Sequence, residues 1–573
     1  MDQGNDEKGK LVSRRSLIES AVLAGGAAAL ATGCGLSSPG GSPSSETMGT
    51  TIVASSTNAV VETRAGKVRG FTRNGIQTFL GVPYGATTEG KARFQRASRP
   101  VPWTGIRNTM HYGNICPQEL RFSRDDEGAF FWQGQGGGAE RYGEDCLRLN
   151  VWSPGLDSKK RPVMLWLHGG RFQWLSGQGQ SIYGENLARR GDVVVMTLNH
   201  RIGVLGFLDV SEHGPQYAES ANIGMLDIVT ALEWVRDDIV NFGGDPGNVL
   251  IFGQSGGGTK VTTLMSMPSA KGLFHRAVVE SGALTFAAVP GESSRWAAEV
   301  MVELGLGKSQ ISKLHEVPVD NLVAAGVTTL PKLPPLKGRR WGRGSLPMPT
   351  ADGRVLPAAP FNPVAPEFSA DVPMIIGTTL NDNPAGTAFH GEDMTEDELK
   401  KSVTATHGAM VGQIIEACRK VYPNVKPIEV YSILAAIDIF RAASHEEAER
   451  KAALGRAPAY LYQFNWKSPT LDGRPRAFHC LEIPFVFYNT DLWAQATGGG
   501  PKPRALAAKI SDAWINFARK GDPNHPGLPR WPKYDAVNRP VMLFDETCEV
   551  KPDPEKELRA VILAAHAARE KTS

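Results

Sequence analysis

Two hydrophobic patterns alternate along this chain. Val163-Met164-Leu165-Trp166-Leu167 and Val193-Val194-Val195-Met196-Thr197-Leu198 are nearly unbroken apolar runs, the pattern of strands buried on both faces of a parallel sheet. Val278-Val279 and Pro373-Met374-Ile375-Ile376-Gly377 read the same way. Between them, Met225, Ile228, Val229, Leu232, Val235, Ile239 and Phe242 recur at steps of three or four, which predicts an amphipathic helix ended by Gly243-Gly244. A further apolar run, Asn248 to Phe252, leads into Gly253-Gln254-Ser255-Gly256-Gly257, and a small-residue, helix-compatible segment to Met265 leads out. Strand, helix, strand and then a glycine-flanked turn is the order of a doubly wound, mostly parallel α/β sheet. Leu284 to Phe368 reads as proline-rich loops with one helical piece at Trp296 to Leu304. Met394 to Gly408 and Gly412 to Val421 read as helices. No long polar linker interrupts these stretches, so they are expected to cover the top of the sheet within one domain over residues 52–573.

Composition narrows the classes of function. The 573 residues are 41% hydrophobic and carry a formal net charge of only +3, enough for a large core but not for a nucleic-acid-binding face. The basic run Lys337, Arg339, Arg340 and Arg343 around Trp341 reads as a solvated loop. Residues 1–34 read as an export signal: Arg14-Arg15 precedes a short Ala/Gly-rich run, too short and glycine-rich for a good membrane span. Cys34, after Ala31-Thr32-Gly33, resembles a lipoprotein processing site. Cleavage there would leave a lipidated Cys34 on the Gly/Ser/Pro-rich linker 35–51, a tether to a membrane. Of the other cysteines, Cys116 and Cys146 bracket a loop containing Phe130-Phe131-Trp132. No cysteine spacing suggests zinc, and neither a metal nor a cofactor is expected.

The candidate chemistry centres on Ser255. A serine on a sharp strand-to-helix turn requires small neighbours, and it leaves the Gly256 amide at a helix N-terminus, facing developing negative charge. A serine hydroxyl needs a base and an acid that orients it, in the chain order serine, acid, histidine for this type of sheet. His479, on a turn before Leu481 to Phe487, stands out as the base. His275 is too close to the serine turn, His525 and His566 fall near the C-terminus without supporting context, and His315, His390, His407 and His445 read as surface residues. Asp382, in a polar turn after the strand ending at Gly377, is preferred as the acid over Asp352, whose Asp-Gly setting suits a tight turn. His168-Gly169-Gly170-Arg171, at the end of another strand, offers backbone amides to an oxyanion.

With these residues in place, the chain resembles the type-B carboxylesterases over nearly its whole body. Glu144 to Trp152, Asn199 to Phe207, Asn222 to Asp227, Phe242 to Val249 and Trp531 to Tyr534 resemble family blocks. The resemblance implies an α/β-hydrolase fold and a serine esterase acting on small-molecule carboxylic esters. Ser255, Asp382 and His479 then align with the triad, and Gly170, Arg171 and Gly256 with the oxyanion hole. It also implies a Cys116–Cys146 disulfide, and a supporting role for Ser281 in Glu280-Ser281-Gly282. Three residues depart from the pattern: Asp382 where glutamate is commoner, Gln254 where glutamate usually precedes the nucleophile, and Arg171 where the family has a third glycine. Amide, carbamate or lactone cleavage on the same triad is the alternative, and a non-catalytic binding protein on the same fold the more distant one. None of these residues sets an oligomeric state.

Overall fold

In the computed structural model the apolar runs become the middle of a 12-stranded sheet. The structure describes residues 51–570 except 120–126, 128–129, 132–140, 337–344 and 383–390. The export signal, Cys34, Trp132, the 337–343 basic run and His390 therefore lie outside the described residues. From Thr50 onward the chain forms one compact unit.

Side by side, the strands run Ile52–Val53, Phe71–Arg73, Ile76–Pro83, Arg148–Ser153, Val194–Leu198, Arg161–Leu167, Gly244–Gln254, Arg276–Glu280, Met374–Thr379, Ala459–Phe464, Pro540–Phe544 and Glu549–Pro552. From Val194–Leu198 to Pro540–Phe544 all neighbours are parallel, and the outer strands at both edges are antiparallel. Parallel strands need helical crossovers on both faces, and that covering buries every residue of Arg161–Leu167 and of Val194–Leu198. The predicted amphipathic segment forms the helix Ile223–Asp238, continues as a 3₁₀ turn to Phe242, and stops where Gly243 takes φ of 79°.

The 284–368 region is more helical than expected. Pro290–Glu303 starts earlier than the periodicity suggested, because Pro290 opens it and Glu292 reaches back to the Val289 amide at 3.1 Å. Val319–Thr329 forms a second helix there. Glu396–His407 and Val411–Val421 form as predicted. Pro427–Ala436 runs through a π-helical turn, Ile437–Arg441, into Ala442–Ala453. Among the described residues no helix is long and apolar enough to cross a membrane.

Buried ion pairs lie among the segments that flank the sheet. Arg201 donates to both Asp227 oxygens at 2.8 and 2.6 Å, and Arg93 to both Glu144 oxygens at 2.7 and 2.5 Å. Removing one partner of such a pair leaves a buried charge unmatched, typically costing about 3–5 kcal/mol. The expected Cys116–Cys146 disulfide is not formed: both are buried free thiols. They are neighbours nonetheless. The Cys146 thiol is pushed well above its ordinary value by its hydrogen bond with Cys116 and by burial. The fold brings the two sulfurs together; whether they bond is set by the redox environment.

Candidate active site

The strand Gly244–Gln254 ends directly in the helix Gly256–Leu264, with Ser255 alone between them at φ 58°, ψ −125°. A non-glycine residue holds so strained a backbone only where its surroundings enforce it. Here they do. A Cβ on Gly253 would lie 2.6 Å from the Leu167 carbonyl oxygen, and one on Gly256 2.2 Å from that of Arg171. The Ser255 amide donates to the Glu280 carbonyl at 2.8 Å, fixing the turn against the next strand.

His479 and Asp382 meet as the sequence predicts. Nδ1 of His479 lies 2.5 Å from Oδ1 of Asp382, whose side chain is fully buried. The other oxygen, Oδ2, accepts from the Thr379 amide at 3.2 Å. A carboxylate can only accept, so Nδ1 carries the proton and Nε2 is left basic. Burial works to lower the imidazole, but Cys480 and the Asp382 carboxylate raise it, and the net lies well above its ordinary value. The ring is clamped between Phe440, stacked at 4.9 Å and 8°, and the Gln254 amide nitrogen, 3.2 and 3.4 Å from its two nitrogens. Since Gln254 precedes Ser255, the imidazole sits beside the nucleophile's own chain segment. Among the described residues the Ser255 hydroxyl makes no hydrogen bond; such contacts often tighten only once substrate is bound.

The oxyanion candidates also converge. Gly170 (φ 77°) and Arg171 (φ 56°) turn the chain against Gly256, so close that only glycine fits at 256. Among the described residues the Gly170 and Gly256 amides donate to no other group. Gly170 instead accepts, from the Gln173 and Trp174 amides at 3.1 and 3.2 Å. A small cavity of about 30 Å³ adjoins this loop, lined by Gln173, Trp174, Val204, Trp296, Val327 and Leu330 among others.

Several supporting residues escape sequence reasoning. Arg441, in the π-helical turn beside Phe440, is buried and donates to the carbonyls of Thr379 (2.8 Å) and Leu380 (2.7 Å), bracing the turn that carries Asp382. A lone arginine in the apolar stretch Ile433 to Ala443 was the available signal. Behind Ser255, burial pushes the Glu280 carboxyl up to about 8, and burial together with Glu280 and Asp382 raises Glu482 further. Ser281 donates to Glu482 at 3.4 Å, consistent with a supporting place.

Other candidates separate from the site. Asp352 Oδ1 accepts from the amides of Arg354, Val355 and Leu356 at 2.9, 2.8 and 3.1 Å, so its carboxylate is committed to its own turn. His407 and His445, expected at the surface, are buried instead. His407 and His566 each place Nε2 3.0 Å from a different oxygen of Asp438. This is the one metal-capable cluster among the described residues. His407 Nδ1 has no partner there, and no acceptor orients that ring as one usually does for a metal-ligating imidazole. Two imidazoles donating from Nε2 to one carboxylate account for the geometry.

Comparison with known proteins now bears on this site. The family model described as the carboxylesterase family matches residues 57–560. The chain is 33% identical over 515 residues to the para-nitrobenzyl esterase of Bacillus subtilis (strain 168), covering 88% of this chain and 98% of that protein. It is 31% identical over 505 residues to the phenmedipham hydrolase of Pseudarthrobacter oxydans, covering 87% and 97%. Among solved structures, an esterase from anaerobic Clostridium hathewayi that hydrolyses aliphatic aromatic polyesters superimposes with a TM-score of 0.76 at 35% identity, covering 90% of this chain and 99% of that one.

Proposed function

The chain belongs to the carboxylesterase family and hydrolyses carboxylic esters, and on that premise we propose that Ser255, His479 and Asp382 carry the reaction. The Asp382–His479 hydrogen bond beside the strained Ser255 turn is the observation that supports these roles most. His479 Nε2 takes the Ser255 proton as Oγ adds to the ester carbonyl carbon. The carbonyl electron pair moves onto oxygen, facing the amides of Gly170, Arg171 and Gly256. Collapse expels the alkoxide, which leaves as the alcohol with the proton from His479, and Ser255 is acylated. Water then adds to the acyl carbon, giving its proton to His479. The acid departs and the proton returns to Oγ. Asp382 accepts from Nδ1 throughout and holds the tautomer.

The protein is further proposed to be exported through its Arg14-Arg15 signal and tethered through a lipidated Cys34, with Cys116 and Cys146 joined in the oxidising compartment. Mass spectrometry of the mature N-terminus tests that processing: an unmodified N-terminus away from Cys34 refutes the tether.

Ser255→Ala is expected to abolish hydrolysis of p-nitrophenyl esters and covalent labelling by an organophosphonate. Persistent labelling of that variant would remove Ser255 from the mechanism. Relative rates on matched esters and amides separate the esterase reading from amide cleavage.

A further inference from the structure

Lys260 lies on the helix that begins at Gly256, yet its side chain has no solvent exposure at all. A lysine in the interior is rare and needs a reason. Its amine donates to the His168 carbonyl at 2.8 Å and stands 5.7 Å above the Phe172 ring. Among the described residues no carboxylate pairs with it, and burial holds it well below its ordinary value.

What it holds is the approach to the oxyanion loop. The His168 carbonyl belongs to the peptide unit that ends in the Gly169 amide. The next unit joins the Gly169 carbonyl to the Gly170 amide. That second carbonyl is also anchored, by His168 Nδ1 at 3.0 Å. A peptide unit is planar and its N–H points opposite its C=O, so fixing a carbonyl aims the amide across from it. Two consecutive planes are thus set from behind. The second delivers the Gly170 amide, which among the described residues donates to no internal partner in place of substrate. The His168 ring is steadied in turn by His200, 5.0 Å away and also buried. A helix that starts at the nucleophile thereby reaches back, five residues on, to lock the loop that receives the negative charge.

We propose that Lys260 is a positioning residue of the oxyanion hole: its amine holds the His168 carbonyl and so fixes the first of the two consecutive peptide planes that lead to the Gly170 amide. This rests on the assignment of the Gly170 and Gly256 amides as oxyanion donors and of Ser255 as nucleophile. Losing one oxyanion donor outright typically lowers kcat by about 10²–10³. Misaiming one is expected to lower it by about 10–100-fold.

The test is Lys260→Met in the full chain, which keeps the apolar stem and removes the donor, with Lys260→Leu carried in parallel in case one variant fails to fold. Active sites are counted by phosphonate titration, so that only competent protein is compared. The expected result is a kcat reduced by about 10–100-fold with KM for p-nitrophenyl butyrate within about twofold. Affinity for a trifluoromethyl ketone, whose adduct carries the oxyanion, should weaken by a similar factor. A lysine that merely fills space would change the melting temperature and leave both quantities alone. Unchanged kcat and unchanged ketone affinity in a folded variant overturn the proposal. Wild-type activity that survives Ser255→Ala would instead overturn the nucleophile assignment, so the two failures are distinct.

Discussion

Replacing Asp382 by Asn should disable the base in a way the hydrogen bonds already dictate. The Thr379 amide points at Oδ2 and demands an acceptor, so the asparagine oxygen must turn to that side. Its NH₂ then faces His479 Nδ1, at the position where a carboxylate now accepts. Two donors cannot face each other, so the imidazole proton shifts to Nε2, where a base needs a lone pair. The charge is lost as well. At roughly 4 Å between charge centres and an effective dielectric of about 20, a carboxylate stabilises an imidazolium by about 4 kcal/mol. The remaining amide contact offsets about 1 kcal/mol of that. The difference of about 3 kcal/mol is roughly 10²-fold in rate, and the wrong tautomer carries the expected loss in kcat/KM to about 10²–10⁴. The pH profile gives a second reading. Although burial lowers the His479 imidazole, Cys480 and Asp382 hold it well above 6.5, so wild-type activity should fall as pH drops through a value above 6.5. Without the carboxylate, burial gains on the remaining influences and that limb should move to lower pH. Steady-state kinetics on p-nitrophenyl butyrate across the pH range measures both. A variant within tenfold of wild type, or one whose acid limb stays in place, would refute the orienting role of Asp382.

Three further outcomes follow from the same contacts. Asp352→Ala should cost about 1–3 kcal/mol of stability, since it orphans the amides of residues 354 to 356, while kcat stays within about twofold; denaturant melts and kinetics together distinguish it from Asp382. Arg171→Gly should leave kcat within about threefold, because the amide and not the guanidinium faces the oxyanion, and it relieves a left-handed residue worth about 1–2 kcal/mol; a hundredfold loss would give the side chain a part in catalysis. Glu280, pushed by burial up to about 8, is protonated when folded and ionised when unfolded between pH 4.5 and about 8, so it binds the extra proton in the native state and stability should fall with rising pH across that window. Glu280→Gln keeps an oxygen for the Trp514 indole donor at 2.9 Å and should flatten that decline; melting temperatures at pH 5 and 8 showing an unchanged slope would refute it.

What could be read from the sequence and what could not divide along physical lines. The central strands announce themselves because burial on both faces leaves almost no polar positions in Arg161–Leu167 or Val194–Leu198, Arg161 and Thr197 excepted. The serine turn did so because its glycines are forced by backbone contacts of 2–3 Å, which no other residue survives. Asp382 and His479 followed from chain order and from the turns they occupy. The layer behind them did not, because its members act through tertiary contacts that leave no local pattern. Lys260 reads as one more helix-surface lysine, and only packing shows that its surface is the interior. Arg441 and Phe440 lie on a π-helical turn whose extra residue per turn breaks the 3.6 period, so the faces of that helix could not be assigned by counting. His407 differs for a related reason: its polar sequence neighbours suggest solvent, whereas Asp438, 31 residues on in the π-helical turn, is the partner that satisfies the buried imidazole on one side. Reacting groups are thus legible where geometry restricts residue type, and their supports are not, since many side chains could brace a carbonyl and this chain happens to use an amine and a guanidinium. That asymmetry puts the chain's individuality into the supports. Substitutions at Lys260 and Arg441 should therefore tune the rate and substrate range of this esterase while leaving the reaction it performs the same.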